Sequence, residues 1–385
     1  MNEWREGTLA EIAEIIMGQS PEGEFCNTSG VGIPLLNGPT EFGIKYPVPV
    51  QFTVNPRKFS KPNDILFCVR GSTTGRMNWA DQIYALGRGL AAIRHKNGQE
   101  YKYFVRGIID FNLPLLLSSA TGSTFPNVSR NQIEELGVSI PPLPEQKAIA
   151  AVLSSLDDKI DLLHRQNKTL EAMAETLFKQ WFVVEAREDW EEVTLEDITT
   201  RITDGAHLSP STVENGFPMA SVKDMHQWGI NIESCRKISE SDFNELVRND
   251  CRPLKNDIII AKDGSYLKHV FVAENDLDVV ILSSIAILRP NEKYHPLLLA
   301  TFLKMSSTRE DLENIVTGAV IPRIVLKDFR KFTIILPPKD VQEKALNIIE
   351  PIYLKCWRNV AQIQTLETIR DNLLPKLMSG EVRVT

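Results

Sequence analysis

The sequence predicts an α+β protein built from two pseudo-symmetric α+β domains, separated by a pair of long antiparallel coiled-coil helices. Three observations support this fold class: the chain repeats itself, each repeat begins with short β-like runs, and each ends in a long heptad pattern. The predicted divisions are domain 1 (residues 1–142), helical region 1 (143–184), domain 2 (185–336) and helical region 2 (337–385).

The internal repeat keeps its spacing through two changes of offset. The matches, at offsets of 186, 193 and 196 in chain order, include Trp4/Trp190, Leu9/Leu195, Asn63/Asn256, Asp64/Asp257, Gly71/Gly264, Pro126/Pro322 and Gln146/Gln342. A duplicated chain can present two similar binding surfaces about a pseudo-twofold axis. It therefore suits a target that also comes in two parts.

Each domain mixes short β-like runs with Gly, Pro and Asn turns and some helix. The runs lie at 65–69, 90–94, 137–140, 258–262, 285–288 and 332–336. A Pro-Pro pair ends each domain, at 141/142 and at 337/338, and excludes helix just before it. This pattern is typical of a compact α+β domain followed by a new helix.

Each helical region carries an apolar seam with alternating spacings of four and three residues. The first seam is Ile149, Leu153, Leu156, Ile160, Leu163, Asn167, Leu170, Ala174, Leu177 and Trp181; the second is Ala345, Ile349, Ile352, Cys356, Asn359, Ile363, Leu366, Arg370, Leu373 and Leu377. A helix from Pro144 to Phe182 would be about 58 Å long.

A single apolar seam cannot stay exposed to water, so each helix packs either on its own domain or against the other helix. The narrow, repeated seam favours a coiled-coil pair, and the pseudo-twofold symmetry favours an antiparallel one. Buried Asn167 and Asn359 would then fix the register at some cost in stability. Pro351 is expected to kink or restart the second helix near its beginning.

The formal charge of −7 is unevenly distributed. Residues 42–133 hold 12 Lys and Arg against 4 Asp and Glu, whereas residues 1–41 hold 1 against 7. In domain 2 the balance is weaker, with 13 basic against 11 acidic residues between 248 and 331. Such a local basic footprint is typical of a surface for nucleic acid. Because the whole chain is acidic, tight DNA binding is expected to need a partner.

Composition excludes several other classes. With 385 residues, 43% of them hydrophobic, the chain has room for two domains, and it contains neither a long apolar run nor a secretory signal pattern. The expected compartment is therefore the cytoplasm, with no membrane association. The five cysteines lack CxxC spacing and are expected to be reduced thiols rather than disulfides or zinc ligands.

A catalytic reading has little support in the sequence. The chain has no GxxxxGK[ST] phosphate loop, no GxGxxG after a strand, and no Asn-Pro-Pro-aromatic tetrapeptide of a base-flipping adenine methyltransferase. Glu100-Tyr101-Lys102 is the one carboxylate-x-lysine match to a metal nuclease, and it lacks a preceding strand acid. We therefore predict no catalytic residues, no metal site and no cofactor bound by this chain.

Polar loops punctuated by glycine occur at equivalent points of both domains. Glycine lets a backbone approach a phosphate, and Ser, Thr, Asn, Arg and Lys reach phosphates or base edges. The candidate DNA-binding residues are Arg70, Ser72, Thr73, Thr74, Arg76, Ser123, Thr124, Asn127 and Arg130 in domain 1, and Lys262, Ser265, Tyr266, Lys268 and Arg323 in domain 2. Any one of them is alternatively an ordinary turn residue. Repeated frames that carry different side chains favour two readers of two different half-sites.

The helical segments carry a family resemblance. IPPLPEQKAIAAVLSSLDDKIDLLHRQNKTLEAMAETLFKQWFV (140–183) and LLPKLMSGEVRV (373–384) resemble conserved regions of the specificity subunit of type I restriction-modification systems. The TG(x)3P elements at 121–126 and 317–322 resemble that family's domain ends, and the likeness covers the whole chain. It departs after the second Pro-Pro pair, where Lys339-Asp340-Val341-Gln342 replaces the Pro-Leu-Pro-Glu-Gln pattern.

The resemblance implies a noncatalytic subunit that binds double-stranded DNA at a bipartite, asymmetric sequence. Domains 1 and 2 would be target recognition domains, each reading one half, and the paired helices would set their spacing. The family's partners are two methylation subunits, which use S-adenosylmethionine to methylate adenine, and restriction subunits that translocate and cut DNA with ATP and Mg²⁺. Those partners would supply the missing catalysis.

Two other functions compete with this one. A stand-alone methyltransferase or nuclease would be supported by methylation with the purified chain alone. A structural coiled-coil protein that binds only proteins would be contradicted by a DNA footprint of the assembled complex with two protected half-sites.

Overall fold

The structure is a computed structural model that describes residues 4–120, 126–264, 266–317 and 322–384. The chain forms two compact units: unit 1 comprises Met1–Leu162 with Ile363–Thr385, and unit 2 comprises Leu163–Gln362. Both long helices therefore contribute one part to each unit. Within the described ranges, no helix is long and apolar enough to cross a membrane.

The strands of unit 1 form two four-stranded sheets and a two-stranded ribbon. Their bounds are β1 (Arg5–Thr8), β2 (Ala13–Met17), β3 (Cys26–Asn27), β4 (Ile33–Leu36), β5 (Gln51–Thr53), β6 (Ile65–Cys68), β7 (Met77–Trp79), β8 (Ala85–Leu86), β9 (Leu90–His95) and β10 (Gly137–Ile140). One sheet has the order β2-β9-β6-β7, the other β3-β5-β4-β8, and β1 pairs with β10. Every residue of β6 is buried, which explains its uninterrupted apolar sequence.

The helices that begin in unit 1 are α1 (Leu9–Ile12), α2 (Lys102–Ser118), α3 (Arg130–Glu134) and α4 (Leu143–Lys179). Ser129 and Gln132 begin α3 with a capping box, in which the Ser129 N–H donates to Gln132 Oε1 at 2.8 Å and the Gln132 N–H to Ser129 Oγ at 3.3 Å. Helix α4 ends in a π-helical segment at 180–184.

Unit 2 repeats this architecture. Its strands are β11 (Glu191–Thr194), β12 (Thr199–Asp204), β13 (Phe217–Ala220), β14 (Met225–His226), β15 (Gly229–Ile230), β16 (Arg236–Ile238), β17 (Ile258–Ala261), β18 (Val270–Val272), β19 (Val280–Ile281), β20 (Ile285–Pro290), β21 (Val316–Thr317), β22 (Arg323–Ile324) and β23 (Thr333–Leu336). The helices that begin in unit 2 are α5 (Glu240–Arg248), α6 (Pro296–Lys304), α7 (Ser306–Asp311), α8 (Leu326–Phe329) and α9 (Lys339–Met378).

The two units share their strand connectivity. The sheet β12-β20-β17-β18 corresponds to β2-β9-β6-β7, and β11-β23 corresponds to β1-β10. The mixed sheets correspond in part: β4 pairs with β8 and β13 with β19 in parallel, but the sheet of unit 2, β16-β13-β19, has three strands where that of unit 1 has four. The predicted duplication and the α+β class are confirmed.

The seam residues of α4 and α9 meet inside each unit. In unit 2, the Asn167 side-chain amide donates to the Cys356 carbonyl at 3.2 Å, and the Asn359 amide donates to Asn167 Oδ1 at 2.7 Å. In unit 1, Arg370 on α9 pairs with Asp157 on α4 at 3.2 Å. Higher numbers on α4 thus meet lower numbers on α9, as the predicted antiparallel pairing requires.

The helices also pack on the domains, so the alternative of packing on the neighbouring domain holds as well. Ile149, Leu153 and Leu377 belong to the core of domain 1, and Ile349 and Cys356 to the core of unit 2. Helix α9 does not restart at Pro351, because it is one continuous helix from Lys339 to Met378; a kink at Pro351 stays a prediction. The seam residues on either side of Pro351, Ile349 and Ile352, are buried. Their packing offsets the backbone hydrogen bond that a proline cannot donate.

Candidate nucleic-acid interface

In domain 1 the two candidate loops form one surface. The loop between β6 and β7 crosses the segment before α3 through a backbone bridge between Arg70 and Asn127. The Gly71 N–H donates to the Pro126 carbonyl at 3.1 Å, and the Arg70 Nε donates to Asn127 Oδ1 at 3.4 Å. Segments more than 50 residues apart are thereby held side by side.

The threonines of this loop hold its backbone in place. The Thr74 hydroxyl lies 2.7 Å from the Gly71 carbonyl and 2.8 Å from the Pro126 carbonyl. The Thr73 hydroxyl lies 3.8 Å from the Cys68 thiol. Both side chains are half-buried, whereas Arg70, Ser72 and Arg76 are exposed. The exposed three are better placed to contact DNA, and the threonines to support them.

Domain 2 contains the same loop crossing. Asp263 bridges Arg323, the Gly264 N–H donates to the Pro322 carbonyl at 2.8 Å, and the Ile324 N–H donates to the Lys262 carbonyl at 3.1 Å. Gly71 and Gly264 have φ of 100° and 75°, in the left-handed region that favours glycine. Glycine is therefore favoured at the same point of both loop crossings.

Lys262 is placed differently from the exposed surface residue that the sequence suggested. Its side chain is 8% exposed, and its Nζ lies 2.9 Å from Asp204 and 3.5 Å from Asp263. A buried ammonium that pairs with two carboxylates holds the loop in place and is not positioned to reach a phosphate. Its proposed DNA contact stays a prediction that this geometry disfavours.

The remaining domain 2 candidates lie at the loop surface. Lys268 and Arg323 are exposed, and Tyr266 is half-buried. The Arg309 guanidinium stacks over the Tyr266 ring at 5.1 Å, a cation–π geometry. Arg309, an exposed residue of α7, was not among the sequence candidates because its link to the loop is purely tertiary.

Arg88 is a second cation that sequence reasoning missed. It is exposed, and its N–H donates to Ser20 Oγ at 3.1 Å. The neighbouring Gly89 carbonyl accepts from the Val69 N–H at 2.9 Å, which places Arg88 beside the start of the Arg70 loop. Only the register of β6 on β9 could have indicated this neighbour.

Other candidates have local partners or lie outside the described residues. Arg130 is exposed, with its Nε 2.7 Å from Glu134 one helical turn later. Ser123, Thr124 and Ser265 lie outside the described residues. Their DNA-binding roles stay predictions.

A buried Asp–Arg pair anchors the strand beneath each loop. Arg94 donates to Asp64 at 2.9 and 2.6 Å, and Arg289 donates to Asp257 at 2.8 and 2.8 Å. Burial raises the pKa of the Asp64 carboxyl, against the lowering effect of Arg94, and the Asp257 hydrogen bond raises the pKa of Arg289. These repeated acids are structural, since both carboxylates are already paired.

The neutral form of His269, in the domain 2 loop, is favoured by its surroundings. Burial lowers the pKa of His269, and the nearby Lys268 and His226 lower it further. The positive charge of these loops therefore comes from their arginine and lysine side chains. A surface of loop backbone, arginine and lysine side chains and hydroxyl groups suits contacts to phosphates and base edges.

The two units share the same loop crossing, in which a glycine N–H donates to a proline carbonyl, but they carry different side chains on it. This arrangement is typical of a recognition protein with two duplicated binding domains. The family model described as the type I restriction modification DNA specificity domain matches residues 1–172 and 187–367. The chain belongs to this family, and the predicted resemblance is confirmed. It is therefore a noncatalytic specificity subunit with DNA-recognition domains.

Similar proteins agree along the full length. The chain is 28% identical over 429 residues to the type I restriction enzyme MjaIX specificity subunit of Methanocaldococcus jannaschii, covering 99% of this chain and 94% of that one. It is 21% identical to the EcoBI specificity subunit of Escherichia coli, covering 98% and 86%. The crystal structure of the type I S subunit from M. genitalium has the same fold, with a TM-score of 0.57 at 20% identity over 97% of this chain and 96% of that one.

Proposed function

We propose that this chain reads a bipartite, asymmetric double-stranded DNA sequence, one half by domain 1 and the other by domain 2. The observation that carries the proposal is the loop crossing that recurs in both domains. Its frame is constant, with glycine donating to proline, while its exposed side chains differ: Arg70, Ser72 and Arg76 in one, Lys268 and Arg323 in the other. One scaffold with two different readers suits two different half-sites.

The paired helices set the spacing between the half-sites in this proposal. Helix α4 contains 37 residues and is about 55 Å long at 1.5 Å per residue. Half-sites one helical turn apart on one DNA face lie roughly 34–36 Å from each other. The helix is thus long enough for that spacing.

Two methylation subunits and the restriction subunits complete the proposed complex. The partners would use S-adenosylmethionine, ATP and Mg²⁺, and this chain would recruit them through its helices. Because the chain carries a net charge of −7, partners would also supply much of the positive charge that DNA binding requires.

Sequencing of modified adenines in a host that carries this chain with its partners tests the proposal. We expect one methylated motif with two fixed half-sites and a constant unspecified spacer. A single continuous motif, or methylation without this chain, would contradict it.

Domain exchange provides the matched control. Replacing residues 1–142 with the corresponding part of a related chain should change one half-site and leave the other half-site and the spacer unchanged. A change in both half-sites would show that the domains do not read independently.

A further inference from the structure

A short hairpin in domain 1 reaches helix α4. Phe42 and Pro47 bridge its two arms, and the Gly43 N–H donates to the Tyr46 carbonyl at 3.1 Å. From its tip, the Lys45 ammonium lies 2.9 Å from Asp158 and 3.5 Å from Asp161, both on α4.

The same hairpin is tied to the body of domain 1. The Lys45 carbonyl accepts from the Trp79 N–H of β7 at 3.1 Å. The Tyr103 hydroxyl of α2 lies 3.4 Å from Asp158 Oδ1, and the Tyr103 ring lies 5.0 Å from that of Trp79. Hairpin, sheet and α2 thus converge on one carboxylate of α4. We call this contact, centred on Lys45 and Asp158, the first clamp.

Unit 2 has an equivalent contact, which we call the second clamp, centred on Lys304 and Glu171. The hairpin β14–β15 occupies the same place in the fold, after the strand that pairs in parallel and a 3-10 turn. Gln227 at its tip donates to Glu171 of α4 at 3.1 Å, and Lys304 of α6 donates to the same carboxylate at 2.8 Å. The Lys304 ammonium also lies 4.3 Å from the Trp228 ring centroid.

The two clamps differ in their exposure to solvent. The side chains of Lys304 and Glu171 are 6% and 15% exposed, whereas Asp158 is 60% exposed and Lys45 20%. An exposed ion pair is weakened by salt, and a buried pair with an aromatic face against the cation is screened much less. The first clamp is therefore the weaker and more salt-sensitive one.

We propose that the two clamps fix the orientation of each recognition domain on α4. The first clamp, as the weaker of the two, sets how strictly the complex discriminates between spacer lengths, so that its loss lowers this discrimination. This inference rests on the proposed bipartite reading. One added base pair moves a half-site by about 3.4 Å and turns it by about 34–36° around the DNA axis. A domain held on α4 by its hairpin as well as by its core follows that movement less readily than a domain held by its core alone.

The test uses the chain assembled with its methylation subunits, and DNA with the correct spacer or a spacer one base pair longer or shorter. The quantity measured is the discrimination ratio, the affinity for the correct spacer divided by that for the altered one. Lys45→Met should lower the ratio by up to about fivefold, the range of an exposed ion pair. Asp158→Asn should lower it by less, because Asp161 still pairs with Lys45, and Lys45→Arg should retain most of the wild-type ratio.

The salt dependence of the discrimination ratio distinguishes an ion pair from a side chain that acts only through packing. The wild-type ratio should fall toward the Lys45→Met ratio as salt increases, while the Lys45→Met ratio should stay constant. Lys147 is an exposed lysine of α4, the helix that carries Asp158. As the matched control, Lys147→Met should retain the wild-type ratio and salt dependence.

The outcomes separate the two proposals. A wild-type complex that binds bipartite DNA no better than unrelated DNA would overturn the proposed function. If the wild type discriminates but Lys45→Met and Asp158→Asn both keep its ratio, or if Asp158→Asn lowers the ratio more than Lys45→Met does, the clamp inference is overturned. If Lys45→Met unfolds the chain, the Asp158→Asn ratio and the wild-type salt dependence decide.

Discussion

The buried asparagine pair of the helices gives the sharpest test of the predicted seam. Asn167 and Asn359 are 4% and 0% exposed, and the Asn359 amide donates to Asn167 Oδ1 at 2.7 Å. Among the described residues, Asn359 Oδ1 has no hydrogen-bond partner. The pair therefore satisfies some of its polar groups and leaves one desolvated.

Asn359→Ala would remove the donor to Asn167 Oδ1 and leave that oxygen buried and unpaired. The expected loss in the free energy of unfolding is about 1–3 kcal/mol. Asn167→Ala should cost a similar amount, because the Cys356 carbonyl loses its side-chain donor and the Asn359 amide keeps the longer contact to Gln166 Oε1 at 3.5 Å in place of its 2.7 Å acceptor. The double variant removes both members of the Asn167–Asn359 hydrogen bond and leaves neither asparagine group unpaired, so its cost should fall short of the sum by about 1 kcal/mol.

Urea unfolding of the full chain, followed by far-ultraviolet circular dichroism, measures these differences. Asn347→Ala is the matched control, since Asn347 is an exposed residue of the same helix. It should change stability by less than about 0.5 kcal/mol. Costs that simply add in the double variant, or an Asn359→Ala effect no larger than that of Asn347→Ala, would refute the reasoning.

Three further predictions follow from the described contacts. Arg76→Ala should cost about 1–3 kcal/mol of base discrimination at one half-site and leave the other intact, as measured by competition with single-base variants; equal loss at both half-sites would contradict this. Lys262→Met would remove the buried partner of Asp204, which keeps the exposed His207 at 3.2 Å, and should lower the free energy of unfolding by about 1–3 kcal/mol; a variant of wild-type stability would show that the pair is not structural. The Arg383 hydrogen bond lowers the pKa of Glu145, so this contact is present above the ordinary carboxyl pKa of about 4.3 and is lost as pH falls through the lowered value. The C-terminal tail should become protease-sensitive over that acid range, and Glu145→Gln should abolish the pH dependence.

The regular elements followed from local pattern. The run predicted at 137–140 is β10, and the runs predicted at 65–69 and 258–262 are β6 and β17, each one residue shorter than expected. The heptad seam predicted the faces along which the helices are buried. Such periodicities are set by backbone geometry and burial, which a sequence records directly.

The chain's duplication, its α+β class, its paired helices and its glycine-centred loops were thus determined by the sequence alone, because residue spacing encodes them. The direction and environment of single side chains were decided only by tertiary structure. Lys262 faces Asp204 instead of solvent, Arg309 reaches Tyr266 from another helix, and Lys45 meets Asp158 over 113 residues of chain. Those contacts depend on which strands and helices lie side by side, and no local pattern of charge or hydropathy specifies that pairing.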